Sequence, residues 1–423
     1  METLFILNRD RIDRQGLYEN TPVGGNVPIL RNDQYRVKQE KILRTSLTSG
    51  FLNDQIIELG VEVAINNYDQ IFNQEKYTAG IYSLSTDDDV SVKENRYEFF
   101  ANHTYNISPK MVLQSSLAWE FSRINSLTVP ISGGAIPRNK KFSFLKPRAD
   151  FRYDLTANDQ FRASVERKIS QLDFQNFVAI YDADLDRLRP GNTGIVPEKS
   201  WNYSAAFEHR LANDGGALQV EFFYRDIKDY IDLVDFTEFF DASGAAIARA
   251  NLDFISVSGN IASARSYGLK TAASLRFGFI GLPEAVFSID HKWEKSKVTD
   301  QFSGVRRMFI WTPEHKINFN FRHDVTKWNF SYGGSGTIQS VTSGHEIDQV
   351  QTSYNGDNYE VFAEIKIFGD MKLIFKFEHL TPLRYNIDTP VYKDHIRYNE
   401  LDRFENRIWK YVREYSVFLQ GTF

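Results

Sequence analysis

The chain has 423 residues and a net charge of −5, from 50 Lys and Arg against 55 Asp and Glu. It has no cysteine, but carries 34 Phe, 21 Tyr and 6 Trp. The near-balance of charge excludes the basic stripe of a nucleic-acid binder, and the missing cysteine excludes disulfides, thiol catalysis and Cys-ligated metals. Mean hydropathy is −0.41, and no run reaches the ~18 apolar residues of a membrane helix. A transmembrane β-barrel survives these exclusions, because its strands alternate lipid-facing and lumen-facing residues and are polar on average.

The opening, METLFILNRDRIDRQG, offers only residues 4–7 as an apolar core, behind an acid, which is too short and wrongly charged for a signal peptide. Residues 2–8 read as a strand and 9–42 as an external segment. Alternation with period two then recurs through the chain, and helical period is nearly absent. Leu59, Val61 and Val63 alternate with Glu58, Gly60 and Glu62. Phe151 and Tyr153 alternate with Asp150 and Arg152, Val220 and Phe222 with Gln219 and Glu221, and Phe375 and Phe377 with Lys376 and Glu378.

The connections add a second pattern. Short turns are expected at 53–54, 108–109, 156–159, 212–216, 280–283, 324–326 and 369–370. Long polar segments fall between them, at 67–96, 124–141, 170–199, 228–264, 297–313, 341–358 and 381–410. Short turns at one end and long loops at the other are the habit of an outer-membrane barrel. Parity gives about sixteen antiparallel strands that start and end on the short-turn side. The last strand places Tyr415, Val417, Leu419 and Phe423 on one apolar face, set in lipid, with the barrel closing by pairing it. The opposite faces of the strands carry Glu62, Arg148, Arg162, Glu208, Arg225, Glu364, Lys372 and other charges of both signs. Such a wall suits a lumen filled by water or by a polar plug.

Several stretches resemble the C-terminal barrel of TonB-dependent outer-membrane receptors. They are FLKPRADFRYDLTANDQFRASVERKISQLDF at 144–174, RPGNTGIVPEKSWNYSAAFEHRL at 189–211, VEFFYRDIKDYID at 220–232, NIASARSYGLKTAASLRF at 260–277, and the terminal strand. Together they span roughly residues 40–423. The resemblance implies an all-β transmembrane antiparallel barrel, with about 16 strands present of a 22-stranded whole. It implies that residues 1–423 form the C-terminal part, with no plug domain, no TonB-contacting box and about six fewer strands. It also implies a Gram-negative outer-membrane location. The implied partners are membrane lipid, the missing plug, the TonB complex through the missing N-terminal region, and the assembly machinery that reads a terminal aromatic strand (Tyr415, Val417, Leu419, Phe423). The ligand so implied is a ferric siderophore or a similar scarce small molecule, with no resident cofactor. External-loop residues Tyr181, Arg187, Arg189, Phe239, Phe240 and Tyr354 are the expected ligand contacts.

Other motifs are weaker. YGGSGT at 332–337 lies in a strand, whereas a phosphate loop must open a helix. STDDDVSVKE at 85–94 lacks the spacing of a calcium loop and reads as a solvated external loop. His103, His209, His291 and His379 face outward near strand ends, while His345 and His395 sit in long loops within reach of an iron complex. A Ser115–His103 pair on neighbouring strands is the sole candidate for hydrolysis, and the expected outcome is no enzyme. The alternative to a receptor is a passive sixteen-stranded porin, against which stands the lack of any obvious constriction loop folded inside. A soluble β-rich binding protein is the third class.

Overall fold

The computed structural model describes residues 1–19, 29–78, 81–130, 135–178, 180–182, 187–241, 243–381 and 384–421, without the side chains of 18, 19, 29, 51, 78, 86–88, 130, 180–182 and 187–189. Sixteen strands make one antiparallel wall. They are β1 (Glu2–Glu19), β2 (Ile29–Leu52), β3 (Gln55–Thr78), β4 (Ile81–Ser108), β5 (Met111–Pro130), β6 (Ile136–Asp154), β7 (Asp159–Ile169), β8 (Lys199–Arg210), β9 (Gly216–Asp235), β10 (Ser256–Phe277), β11 (Leu282–Thr299), β12 (His315–Val325), β13 (Phe330–Gln339), β14 (Asn358–Phe368), β15 (Met371–Glu378) and β16 (Glu414–Gln420). Each pairs with the next in chain order, and a two-residue strand, Arg306–Arg307, extends the end of β11. Among the described residues β1 pairs only with β2 and β16 only with β15, so the expected closure through the last strand is not formed and the sheet stays open.

All seven short turns are present within a few residues of their expected positions, that expected at 324–326 lying at 326–329 and that at 280–283 lying at 278–281. Their tips hold residues that tolerate positive φ: Asp54 (61°), Gly281 (81°), Asn329 (49°) and Gly369 (53°). At the other end the strands outrun the expectation. Residues 9–19, 29–42, 67–78 and 81–96 are not loops but the far halves of β1–β2 and β3–β4, and β4 alone has 28 residues. Crossing a bilayer takes only ~9–11 tilted residues, so these hairpins continue well past it. The reason is visible on the outer face. Leu59, Val61 and Val63 give way to Asn67 and Asp69, so the ladder persists while the apolar signal stops.

The outer face carries an apolar band read across strands. Val61, Phe99, Trp119 and Leu145 form one row, and Leu59, Ala101 and Leu117 the next. These side chains are largely uncovered by protein, with Leu59 at 56%, Phe99 at 55% and Trp119 at 51% exposure. An exposed apolar face this continuous suits lipid and not water. Toward the long-loop end the band finishes on Tyr97, Phe121, Trp201, Tyr224, Tyr267 and Trp293. Two residues further on stand Asn95, Arg123, Lys199, Asp226, Arg265 and Lys295.

Charges on the inner face satisfy one another. Glu62 takes Arg96 at 3.1 Å and Arg44 at 3.6 Å, and Lys146 bridges Glu98 and Glu120. Arg162 meets Glu208 at 3.1 Å, and Glu364 holds Lys372 at 2.7 Å and Arg322 at 3.3 Å. In β13, Gly333 and Gly336 leave room for rings. A Cβ on Gly333 would lie 2.7 Å from Phe362, and one on Gly336 2.4 Å from Phe319. The glycine run is therefore a packing device of the sheet.

One long connection folds inward, contrary to expectation. Residues 172–178 and 195–196, between β7 and β8, lie on the inner face of the wall beyond its membrane-length portion. Phe174 meets Tyr68 edge-on with centroids 6.4 Å apart. Phe177, Val178 and Ile195 bury Val90, Val92 and Ile124 in one apolar cluster. Lys140 Nζ donates to the Ile195 carbonyl at 2.6 Å.

An arginine at Leu117, mid-band and outward, should cost about 2–4 kcal/mol of stability in lipid. An arginine at Ser116, facing the lumen, should cost far less. Urea unfolding of the two variants in lipid vesicles checks this, and equal costs would contradict the assignment of faces.

Candidate ligand site among the long loops

Two apolar clusters and a small sheet organise the long-loop end. Ile227, Val257, Ile261, Val298 and Phe309 form one cluster, and Leu233, Phe302 and Ile347 the other. Four short strands, Thr342–His345, Val350–Asn355, Arg384–Tyr392 and Leu401–Lys410, make a separate antiparallel sheet. Residues 342–355 and 384–410 are thus structured, not open loops.

A buried ion network ties this layer to the wall. Arg307 donates to Asp232 Oδ2 at 2.9 Å and to Asp300 Oδ2 at 2.8 Å. The side chain of Asp232 is wholly buried and that of Asp300 nearly so. Asp300 stands where β11 ends, and its other oxygen accepts from the backbone N–H groups of Phe302 and Ser303 and from the Ser303 hydroxyl, an Asx-type turn that fixes its orientation. Burial pushes the Asp300 carboxyl up, but the hydrogen bonds from Arg307 and Ser303 outweigh it and hold the group below the usual carboxylate range. His345 lies 3.8 Å from Asp300. Burial and the neighbouring Arg307 lower its pKa from 6.5, so near neutral pH this contact is a neutral imidazole beside a carboxylate, not an ion pair.

A second buried pair lies alongside. His395 Nε2 contacts Asp235 Oδ2 at 2.9 Å. Its ring is enclosed by Phe254, Phe302, Phe239 and Tyr398, with centroids 5.6–6.3 Å away. Arg397 stacks on Phe239 at 4.0 Å, and Arg249 on Tyr398 at 4.1 Å.

Between these supports opens a cavity of about 440 Å³, within the ordinary range for small-molecule sites. Trp311 and Trp409, both about half exposed, give it aromatic walls. His345, Glu346, Gln351 and Arg407 supply polar groups. Trp311 sits on Gly344, where a Cβ would come within 2.3 Å of the indole. A planar or amphiphilic small molecule with polar groups at its edge fits this lining. A larger cavity, about 510 Å³, lies on the inner wall near the short-turn end and is lined by Arg148, Asp150, Arg152, Arg162, Gln219 and Glu221.

The sequence-selected contacts are not brought together. The backbone of Tyr181 pairs with Leu188, in a two-stranded ribbon that includes Arg187 and Arg189, and the side chains of these three lie outside the described residues. Phe239 packs under Arg397, Phe240 is 65% exposed, and Tyr354 is exposed on the small sheet. Phe423 lies outside the described residues. Tyr415 meets Phe377 edge-on at 5.2 Å, and Val417 and Leu419 pair with Phe375 and Leu373 on the outer face. His395 is fully buried and so is not placed to meet a surface ligand, whereas His345 lines the cavity. The acidic stretch 85–94 lies within β4, not in a loop. Among the described residues no cluster of three or more His, Asp or Glu could hold a metal ion. His103 and Ser115 are opposite one another in register, but the imidazole bonds Gln55 at 2.9 Å. The sequence reading missed Trp311 and Trp409; their signal was a single Trp in each of two long segments expected to be loops.

Comparison with known proteins bears on the whole wall. The family model "TonB dependent receptor-like, beta-barrel" matches residues 5–368. The ferric citrate transporter FecA in its unliganded form superposes with a TM-score of 0.66 at 12% identity, over 99% of this chain and 58% of that one. The ferric yersiniabactin uptake receptor FyuA from Yersinia pestis gives 0.62 at 14%, over 90% and 54%. The siderophore receptor PiuA from Acinetobacter baumannii gives 0.62 at 11%, over 93% and 56%. The chain therefore spans a little over half the length of these structures. No curated protein matches the sequence.

Replacing Arg307 with alanine leaves two buried carboxylates uncompensated, a loss of about 3–5 kcal/mol. Hydrogen exchange should rise at 230–235 and 300–309 while β3–β6 stay protected; unchanged exchange there would contradict the network's role. Acid should act likewise. His345, with its pKa lowered by folding, favours the folded loops above its ordinary 6.5 and opposes them as pH falls below it; the lowered Asp300 adds to the loss below its ordinary 3.8. Exchange at 300–309 should therefore rise in two stages on acidification, with His345→Gln removing the first.

Members of this family are receptors and transporters, not enzymes, and occupy the outer membrane of Gram-negative bacteria. On the match over most of its length and on the sixteen-strand wall, this chain belongs to the TonB-dependent receptor-like β-barrel family.

Proposed function

We propose that the chain is the barrel portion of an outer-membrane receptor for TonB-dependent uptake of a scarce ligand, a ferric siderophore, and is not competent for energised transport by itself. The observation that carries this reading is the mouth: a cavity walled by Trp311 and Trp409, carrying Arg407 and His345, and held from below by the Arg307 network. The ligand class is supported by the solved relatives, whose names include ferric citrate, ferric yersiniabactin and siderophore receptors. Aromatic faces suit the organic shell of an iron chelate, and a cation suits its negative charge. Tyr181, Arg187, Arg189, Phe240 and Tyr354 serve as further contacts in loops that approach the ligand, with Phe239 holding Arg397 in place. Iron is cargo in this reading, held by the chelator and not by protein ligands.

The inner wall supports the partner half of the reading. Its charges are mutually paired yet line a polar recess at Arg148, Asp150 and Arg162, a surface suited to hydrogen bonding with a separate plug domain. Energised transport then requires that plug and its TonB contact. Tyr415, Val417 and Leu419, with Phe423, form the strand read by the assembly machinery. A passive sixteen-strand pore is disfavoured, because among the described residues β1 and β16 each have one neighbour.

Binding of radiolabelled ferric siderophores to cells displaying the chain tests the reading. Saturable, energy-independent binding, lowered at least tenfold by Trp311→Ala with Trp409→Ala, is expected. Uptake dependent on the proton-motive force should appear only when a plug domain is supplied. An open-pore conductance with no saturable binding would replace the receptor with the porin.

A further inference from the structure

The outer face of β9–β11 carries a feature that ligand uptake does not use. Just beyond Tyr224, Tyr267 and Trp293, the side chains of Lys228, Arg265, Lys297 and Arg306 converge on a recess of about 220 Å³, with Asp226 as its single acid. Register fixes them on the outward face. Asp226 opposes Arg265, Arg265 opposes Lys297, and Thr299 opposes Arg306. All four cations are exposed, and among the described residues none forms an ion pair. Two neighbours of the patch are paired, Lys199 with Asp229 at 2.7 Å and Lys295 with Glu314 at 3.5 Å. The chain as a whole is acidic by five charges, so four cations to one acid is a local concentration.

We propose that this recess binds the phosphate groups of an anionic lipid in the leaflet that meets the long-loop end of the barrel. Arg265 is two residues past Tyr267, which places its guanidinium about 7 Å along the strand from the aromatic edge of the apolar band, at headgroup height. Lys and Arg reach outward along apolar stems while their charged heads stay in the polar zone, and guanidinium matches phosphate with paired donors. The Tyr224, Tyr267 and Trp293 rings below supply the surface on which acyl chains lie. A lipid held there tethers the two-residue strand Arg306–Arg307 and so braces the loop network above it.

The test reconstitutes the full chain in phosphatidylcholine nanodiscs and counts retained lipid by native mass spectrometry. The probes are diphosphorylated lipid A and the same lipid stripped of phosphate. Wild type should retain the phosphorylated form selectively, and Arg265→Gln with Lys297→Gln and Arg306→Gln should weaken retention by about fivefold for each cation removed. Lys93→Gln, on a distant strand, should change nothing. If the triple variant loses heat-modifiable folding, Arg306→Gln alone, outside the wall ladder, carries the same expectation of about fivefold. Equal retention of both probes, an unaffected variant, or displacement of the lipid by inorganic phosphate at equal concentration would each overturn the lipid assignment. Ferric-ligand binding is a separate readout, unaffected by failure here.

Discussion

A strand that crosses lipid cannot leave its backbone N–H and C=O groups to water, because none is there. That constraint organises the molecule. It is met along one antiparallel ladder running from Glu2 to Gln420 through sixteen strands in chain order, except at the outer edges of β1 and β16, which have no partner among the described residues. Once the ladder is set, side chains must alternate between lipid and lumen. The Val61–Phe99–Trp119–Leu145 row and the Glu62–Arg96 pair are two faces of the same requirement. The aromatic cavity and the Arg307 network then lie beyond the band, at the long-loop end.

Strand existence, parity and turn positions were legible because each leaves a local mark. Leu59, Val61 and Val63 alternate with Glu58, Gly60 and Glu62, and turns such as 53–54 and 369–370 need residues that accept positive φ. The far halves of β3 and β4 were not legible. Outside lipid both faces of a strand can be polar, so Asn67 and Asp69 read as loop while the hydrogen-bond ladder continued. The inward packing of Phe174, Phe177 and Ile195 was hidden for a different reason. Phe174, Phe177 and Ile195 find their partners Tyr68, Val90 and Ile124 about a hundred residues or less away on other strands, and no local period encodes that meeting.

The loop end shows the same division. Aromatic and cationic composition drew attention to long segments of the chain, but none of the six residues chosen from them is among the described residues that line the cavity, because individual contacts depend on tertiary packing. Phe239 and His395, picked as surface candidates, are used to support the layer. Trp311 and His345 line the cavity because Arg307 holds Asp232 and Asp300 beneath them. A buried arginine between two carboxylates costs much to form and more to break, so it fixes one arrangement of loops that short sequence stretches leave undetermined.

The central claim is that the odd-numbered face of β3–β6 lies in lipid while the aromatic cavity stands clear of it. Quenching of tryptophan fluorescence by lipids brominated deep in the acyl chain tests this directly, in variants retaining Trp119 alone or Trp311 alone. The account predicts strong quenching of Trp119 and none of Trp311. Trp119 insensitive to the brominated chains, or Trp311 quenched as strongly as Trp119, would contradict it.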